Sequence, residues 1–243
     1  LFRASAAATQ DLARDPRFVG GKIGMVGVLH TWARDLSYHP HVHYLVPGGG
    51  LSEDQQSWLP SREDFLVHVK PLSLLFRAKF RDMLRETDMF DQVPASVWRK
   101  AWVVHCKAVE DGRAALKYLA PYVFRVAISN HNIIKMEDGQ VTFRYKDRDS
   151  GEEQFRTFAA EEFIRRFLQH VLLKGFVKVR YYGFFSSGNR PRLRRVRQLL
   201  GVDPNWESEE KAVDPEEDAH RCPHCGQVMV LSQWLPPIRN RSP

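Results

Sequence analysis

Apolar and polar residues follow two periods along this chain, one typical of helices and one typical of strands. Helical spacing predicts helices over residues 1–14, from Pro71, from Gly112 and over residues 160–173. Short β-rich runs predict strands over residues 23–30, 39–46, 101–109, 141–145, 154–158 and 176–185. We expect Cys106, in the third run, to be a small buried residue. Gly48-Gly49-Gly50 predicts a flexible turn, and residues 51–62 read as a loop.

The second predicted strand carries histidines at alternate positions, His39, His41 and His43. Side chains two residues apart in a strand point to the same face, so His41 and His43 present two imidazoles side by side. Imidazole is the commonest metal ligand among protein side chains. Four of the ten histidines fall between His30 and His43, and this density favours a metal site over a half-exposed strand that merely contains histidines.

The spacing does not fix a third metal ligand. His30 ends the preceding strand, and strands close in sequence are usually neighbours in a sheet, so His30 is favoured. His39 is the alternative, although the proline that follows restricts its backbone and turns it from the other two. Mg²⁺ prefers oxygen ligands, so a histidine-rich site by itself indicates Mn²⁺ or a softer metal.

Tyr118 and Tyr122 lie four residues apart in a predicted helix, a spacing that puts both phenols on one face. Tyrosines at this spacing on an amphipathic helix usually pack against neighbouring residues, so the pair alone favours a structural role over a catalytic one. Lys117 and Arg125, however, make the surroundings basic. A phenol with a pKa of about 10 becomes a useful nucleophile when a metal polarises the electrophile. With a phosphodiester as the electrophile, the combination describes a DNA nickase.

The charge balance favours a polyanionic partner, because 36 Lys and Arg against 29 Asp and Glu give a net charge of +7. A basic helical block near residue 195 either contacts DNA phosphates or is a solvated helix face. Its cations are Arg192, Arg194, Arg195 and Arg197.

Three cysteines are too few for a secreted disulfide framework, and the sequence has neither a signal peptide nor an apolar run long enough for a membrane span. We therefore expect a cytoplasmic protein. Because the sequence begins with Leu1 rather than methionine, we also expect further sequence upstream.

A change of composition near residue 202 predicts three segments: a catalytic domain over 1–200, an acidic linker over 201–219 and a tail over 220–243. The tail contains Cys222 and Cys225, which form half of a zinc site. A structural Zn²⁺ needs four ligands, so the pair either binds zinc with ligands from elsewhere or binds none.

Several motifs together resemble the two-tyrosine rolling-circle transposases of the insertion-sequence ninety-one type, which belong to the HUH endonuclease superfamily. HUH denotes histidine, a bulky hydrophobic residue and histidine, as in His41-Val42-His43. The resemblance covers nearly all of residues 1–200. It rests on Leu29-His30-Thr31-Trp32, on residues 39–50, on Lys117 to Tyr122 with Arg125 to Asn130, and on Gly175-Phe176-Val177 followed by Tyr182-Gly183-Phe184.

The resemblance implies an α+β fold, a ferredoxin-like nuclease core with an antiparallel sheet and flanking helices. It implies that His41 and His43 hold Mg²⁺ or Mn²⁺ at the scissile phosphate while Tyr118 or Tyr122 attacks it. The product would be a 5′-phosphotyrosine intermediate and a free 3′-hydroxyl. The implied partner is single-stranded DNA at the transposon ends and target, with self-association as a further expectation. The resemblance also implies a bacterial protein that is associated with the nucleoid when it binds DNA.

Two other functions stay open at this point. One is a DNA-binding remnant of such a transposase, whose basic surface survives without chemistry. The other is a metallohydrolase that acts through metal-bound water and forms no covalent intermediate. A metallohydrolase would normally use a carboxylate near the histidines, and Asp35 is the only close candidate in the sequence.

Overall fold

The computed structural model describes residues 1–109, 112–124, 127–147 and 150–203, together with Gln227. At Tyr118, Pro121, Tyr122 and Phe124 the backbone alone is described. Leu1–Pro204 forms one compact unit, and Asn205–Pro243 a second one that lies almost wholly outside the described residues.

Within the described residues the chain forms five α-helices and eight β-strands in three antiparallel sheets. The helices are α1 (Phe2–Arg14), α2 (Val69–Arg85), α3 (Gly112–Phe124), α4 (Ala160–Leu168) and α5 (Arg190–Leu199). The strands are β1 (Met25–Trp32), β2 (Tyr38–Leu45), β3 (Gly49–Leu51), β4 (Trp58–Pro60), β5 (Ile133–Glu137), β6 (Gln140–Lys146), β7 (Glu153–Ala159) and β8 (Val179–Tyr182). The mixed α/β class with antiparallel sheets is confirmed.

The sheet that positions the histidines has the strand order β2-β1-β8, with β1 in the centre. In the β1–β2 pair His30 lies opposite His41, and Val28 lies opposite His43. An irregularity follows between His30 and Trp32, where the register shifts. The short connection between these strands makes their antiparallel pairing local, as expected from the sequence.

Helix α1 covers the side of this sheet opposite the histidines. Tyr44 alternates with His43 along β2 and therefore points to the other face. Its hydroxyl lies 2.8 Å from Ser5 Oγ and donates to the Phe2 carbonyl at 3.2 Å, both on α1. Small side chains let this helix approach closely, and they join a core with the start of the sheet. The buried members include Ala6, Ala8, Ala13, Ile23 and Met25.

The β3–β4 hairpin and α5 form a second apolar cluster around Leu51, Phe184 and Val196. Gly183 makes this arrangement possible, because its φ of +61° favours glycine. A Cβ at this position would also collide with the Ile23 carbonyl oxygen. The cluster thus anchors the basic helix to the domain that carries the histidines.

Several local predictions were wrong. Residues 101–109 form neither strand nor helix, and Cys106 is exposed rather than buried. Their apolar residues have no sheet to join; Val103, for example, is 97% exposed. The glycines predicted as a turn instead enter β3, where Gly49 and Gly50 are buried. There Gly49 packs against the Trp58 ring, where a Cβ would not fit.

Other elements exist but differ in extent. The predicted helix over 160–173 ends at Leu168, and the predicted strand over 176–185 is reduced to β8. Strand β5 was not predicted, because its apolar residues show little alternation with polar ones. Most of the strand is exposed in the structure. Strand β4 lies in the segment read as a loop. None of the described helices is both long and apolar enough to cross a lipid bilayer.

Candidate metal and DNA site

Three imidazole rings converge on one face of β1 and β2. The Nε2 atoms of His41 and His43 are 3.0 Å apart, and His30 Nδ1 lies 3.3 Å from His41 Nε2. One ligand nitrogen from each residue falls within 4.8 Å of the others. We call His30, His41 and His43 the histidine triad. Among the described residues, this is the cluster of side chains suited to a metal ion.

The spacing of these nitrogens fits a shared divalent ion. Two nitrogens bound at about 2.1 Å are about 3.0 Å apart at a right angle and about 3.4 Å apart at the tetrahedral angle. The separations of 3.0 and 3.3 Å lie in this range. The donor set is imidazole alone, which by ligand preference suits Mn²⁺ or a softer ion better than Mg²⁺.

A backbone hydrogen bond orients the central ring of the triad. His41 Nδ1 lies 2.7 Å from the carbonyl oxygen of His39, which can only accept, so Nδ1–H donates. The neutral ring therefore presents its Nε2 lone pair toward His30 and His43. His39 contributes its carbonyl, while its own side chain is exposed and is absent from the converging set. The geometry favours His30 over His39 as the third ligand.

The environment of His30 and His43 favours the neutral form of the imidazole, which is the form that binds metals. Burial lowers the pKa of His30 to about 3, and His41 and His43 add to the effect. Burial also lowers the pKa of His43 to about 4, again with a contribution from His41. Each ring would gain a proton close to other imidazoles and away from water, which is unfavourable.

Trp32 and Lys178 border the triad. The Trp32 ring centroid is 4.1 Å from that of His30, and Lys178 Nζ lies 5.0 Å from the Trp32 ring centroid. Lys178 also donates to the Val123 carbonyl of α3 at 3.5 Å. Burial lowers the pKa of Lys178. This lysine thus lies between the helix of the tyrosine pair and an aromatic neighbour of the triad.

Helix α3, which carries Tyr118 and Tyr122 in its sequence, lies against β1 and β2. The helix predicted there is confirmed, although the tyrosine side chains lie outside the described residues. Lys117 is exposed, and Arg125 lies outside the described residues. The fold therefore brings the backbone of the tyrosine helix to the two strands that hold the triad.

Asp35 does not join the triad. Its carboxylate accepts from the Ser37 hydroxyl at 2.7 Å and pairs with Arg156 at 2.9 Å. Partial burial acts to raise the pKa of Asp35, but these partners outweigh burial and lower the pKa. The carboxylate that a metallohydrolase would need is thus committed to an ion pair that links β7 to the β1–β2 connection.

The basic block forms α5, as predicted. Arg192 donates to Asn189 at 2.9 Å, and Arg195 donates to the Gln55 carbonyl at 2.8 Å, so both help to fix the helix. Arg194 is exposed, whereas Arg197 is half-buried. Cys222 and Cys225 fall outside the described residues.

Sequence reasoning missed the contribution of His170. It follows α4, is only 7% exposed, and its Nδ1 lies 3.4 Å from Thr31 Oγ1. The two residues are 139 positions apart, so no local pattern indicates their contact. A buried histidine near a metal-type strand could be recognised only once the fold was known.

Comparison with known families places this geometry in context. Residues 24–193 match the family model Y2_Tnp, described as "Putative transposase". The "Putative transposase y4qJ" of Sinorhizobium fredii is 38% identical over an alignment of 262 positions, which covers 96% of this chain and 66% of the relative. The "Transposase for insertion sequence element IS801" of Pseudomonas savastanoi pv. phaseolicola is 29% identical over 202 residues, covering 77% of this chain and 48% of the relative. No solved structure matches significantly.

The family match spans most of the chain and includes β1, β2, α3 and α4. The chain therefore belongs to the Y2_Tnp family of transposases, and the resemblance to transposases of the insertion-sequence ninety-one type is confirmed. This chain spans 66% of the length of the Sinorhizobium relative and 48% of the length of the Pseudomonas relative.

Proposed function

We propose that the protein nicks and rejoins single-stranded DNA as the catalytic part of a rolling-circle transposase. The observation that carries this proposal is the convergence of three imidazole nitrogens beside α3, in a chain of a transposase family. In this proposal the fold is an HUH nuclease core of ferredoxin-like type, with β2-β1-β8 as its metal-bearing sheet.

His30, His41 and His43 would hold one divalent ion, Mg²⁺ by family resemblance or Mn²⁺ by ligand preference. When bound, the ion supplies Lewis-acid stabilisation of the charge that develops on a phosphate oxygen. The protein's part is to present neutral, oriented imidazoles. Burial and the His39 carbonyl achieve this in the protein itself.

Tyr118 and Tyr122 are the proposed nucleophiles. In each cleavage a phenolic oxygen bonds to phosphorus as the bond to the 3′-oxygen breaks. The phenol loses its proton, and the departing oxygen gains one to become a 3′-hydroxyl. The other product is DNA joined to the protein through a 5′-phosphotyrosine. Helix α1 occupies the opposite face of β2, and α3 contacts both β1 and β2; in this proposal α3 lies on the histidine face.

Two tyrosines would serve strand transfer. One phenol keeps the first strand covalently attached while the other attacks a second strand. Their spacing of four residues in the sequence predicts that both lie on one face of the helix, and in this proposal each attacks in turn at the same phosphate-binding site. Self-association of the protein is a further part of the proposal, as is zinc binding at Cys222 and Cys225.

The charge distribution supports a polyanionic substrate. The net charge of +7 favours association with DNA, and α5 offers an exposed cation at Arg194. Lys117 and Arg125 flank the tyrosines in sequence and are proposed to contact the phosphates next to the cleavage site. The remaining proposed DNA contacts on α5 are Arg192, Arg195 and Arg197.

A metallohydrolase is less well supported, because Asp35 is held by Ser37 and Arg156 instead of facing the triad. A DNA-binding remnant would bind DNA without cleaving it. The distinguishing experiment is a search for a covalent complex with single-stranded DNA from the element's end, with and without chelator. Covalent adducts that require both metal and the tyrosines support the proposal, and cleavage without an adduct supports the hydrolase.

A further inference from the structure

A half-open cavity of about 240 Å³ lies beside the histidine triad. It forms where β1 continues past β8, whose register with β1 runs from Met25 to Val28 and is followed by a hydrogen bond from Leu29 N–H to the Lys178 carbonyl. The end of β1 supplies one wall, and the segment after α4 supplies the other. Its lining includes Leu29, Thr31, Trp32, Phe167, His170 and Lys178.

One buried polar atom at this cavity has no hydrogen-bond partner. His170 is 7% exposed, and its Nε2 has no partner among the described residues. The other ring nitrogen, Nδ1, lies 3.4 Å from the Thr31 hydroxyl oxygen. Burial lowers the pKa of His170, and an interaction of the ring with the Leu36 backbone partly offsets this decrease. An unsatisfied buried nitrogen costs free energy, which a ligand in the cavity would recover by supplying a hydrogen bond.

Trp32 connects the cavity to the triad. Its ring centroid is 4.1 Å from that of His30 and 5.8 Å from that of His170. A group in the cavity therefore lies one aromatic ring away from the proposed phosphate site. Lys178, above the same ring, adds positive charge at the junction.

We infer that this cavity binds one unpaired nucleobase of the DNA strand held at the histidine triad. The inference rests on the proposed function, since it assumes a single strand at that site. It assigns Trp32 as an aromatic wall for the base, His170 Nε2 as the contact to the edge of the base, and Lys178 as the contact to the adjoining phosphate.

The chemistry of the cavity fits a base better than other parts of DNA. Leu29, Phe167 and Trp32 offer apolar and aromatic surface, which a charged phosphate would not use, whereas unstacked bases pack on aromatic side chains. The volume is smaller than the roughly 300–1,000 Å³ of sites for drug-sized ligands, so it suits a single ring system. Because His170 Nδ1 lies near the Thr31 hydroxyl, Nε2 offers the one remaining hydrogen bond of the ring, which is enough to favour some base edges over others.

A matched pair of substitutions tests the inference through DNA affinity. Val171 lines the cavity and is 58% exposed, so Val171→Trp fills the space from the rim without disturbing the core. Val177 is equally exposed, at 59%, but does not line the cavity, so Val177→Trp is the control. The probe is single-stranded DNA of random sequence with one 5-iododeoxyuridine per strand. Val171→Trp should weaken binding at least about 5-fold, while Val177→Trp should bind like the wild type.

Photocrosslinking of the same probe locates the base. We expect crosslinked peptides that contain Trp32 or His170 in the wild type and in Val177→Trp, and their loss in Val171→Trp. Equal affinity of both variants and the wild type, or crosslinks confined to other parts of the chain, would overturn the inference. Mn²⁺ binding should be unchanged in both variants, which separates a filled cavity from a damaged triad.

Assaying the same proteins for the covalent tyrosine adduct separates the two proposals. Covalent adducts without crosslinks in the cavity would contradict the base-binding site and leave the proposed function supported. Crosslinks in the cavity without any adduct would support the base-binding site and contradict the proposed cleavage through tyrosine. His170→Leu should also reduce affinity for the probe more than His170→Asn, because asparagine keeps a hydrogen-bonding group. Equal losses would contradict the role given to Nε2.

Discussion

His30 and His41 face each other across β1 and β2, and His30 Nδ1 lies 3.3 Å from His41 Nε2. This cross-strand pair converts two neighbouring histidines on one strand into a three-nitrogen cluster. A strand alone offers ligands in a row, whereas an ion needs ligands from more than one direction. The pairing of β1 with β2 supplies that second direction.

Removal of any triad ring should weaken metal binding, whereas removal of the His39 ring should not. His30→Ala takes away a converging nitrogen, so Mn²⁺ affinity should fall at least about 10-fold. His39→Ala keeps the carbonyl that accepts from His41 and should leave affinity nearly unchanged. Titration calorimetry or electron paramagnetic resonance of Mn²⁺ measures both. A larger loss for His39→Ala than for His30→Ala would make His39 the third ligand.

Acidification should destabilise the metal-free protein through His30. Burial lowers the pKa of His30 from 6.5 to about 3, so its contribution to stability is complete above pH 6.5 and is lost as the pH falls toward 3. Below pH 6.5 the free energy of unfolding should decline by up to about 1.4 kcal/mol per pH unit from such a group. Urea unfolding at a series of pH values measures this slope.

The same experiment with His30→Gln should give a flatter slope between neutral and mildly acidic pH. His131→Gln, at an exposed position, is the control for replacing a histidine. If His30→Gln and the wild type lose stability in parallel, the assigned environment of His30 is wrong.

Gly183→Ala should destabilise the domain by more than about 3 kcal/mol. Alanine would strain the backbone at a φ of +61° and collide with the Ile23 carbonyl, next to the start of β1. Gly188→Ala is the matched control, since an added Cβ there meets nothing within 4 Å. Thermal or urea unfolding compares the two, and similar stabilities would refute the role given to Gly183.

Arg194→Gln should reduce both the affinity for single-stranded DNA and its salt dependence. If this exposed side chain neutralises a phosphate, its loss should lower the slope of log K against log salt by about 0.7. Arg17→Gln is the control, because Arg17 is exposed but paired with Asp15 at 2.6 Å. Fluorescence anisotropy at several salt concentrations measures the slope. An unchanged slope for Arg194→Gln would remove this part of α5 from the DNA interface.

Sequence reasoning predicted the parts of the site that depend on local geometry. The shared face of His41 and His43 follows from strand alternation, and the position of His30 follows from a short connection between paired strands. The helix of the tyrosine pair and the basic helix also follow from local spacing.

The parts that were missed depend on distant contacts. Residues 101–109 are apolar enough for a strand but find no partner strand, so Cys106 is exposed. Gly49 is buried in β3 only because Trp58 folds back onto it. His170 reaches Thr31 from far along the chain. Periodicity carries no information on such pairings, because they are fixed by the packing of whole elements.

The most direct test of the account is the covalent adduct between the protein and single-stranded DNA from the element's end. The wild type with Mn²⁺ should yield a denaturant-resistant adduct, as should Tyr181→Phe, a control at an exposed tyrosine. The double variant Tyr118→Phe/Tyr122→Phe should yield none, and neither should His41→Ala or the wild type with chelator. An adduct that persists in the double tyrosine variant would contradict the central claim.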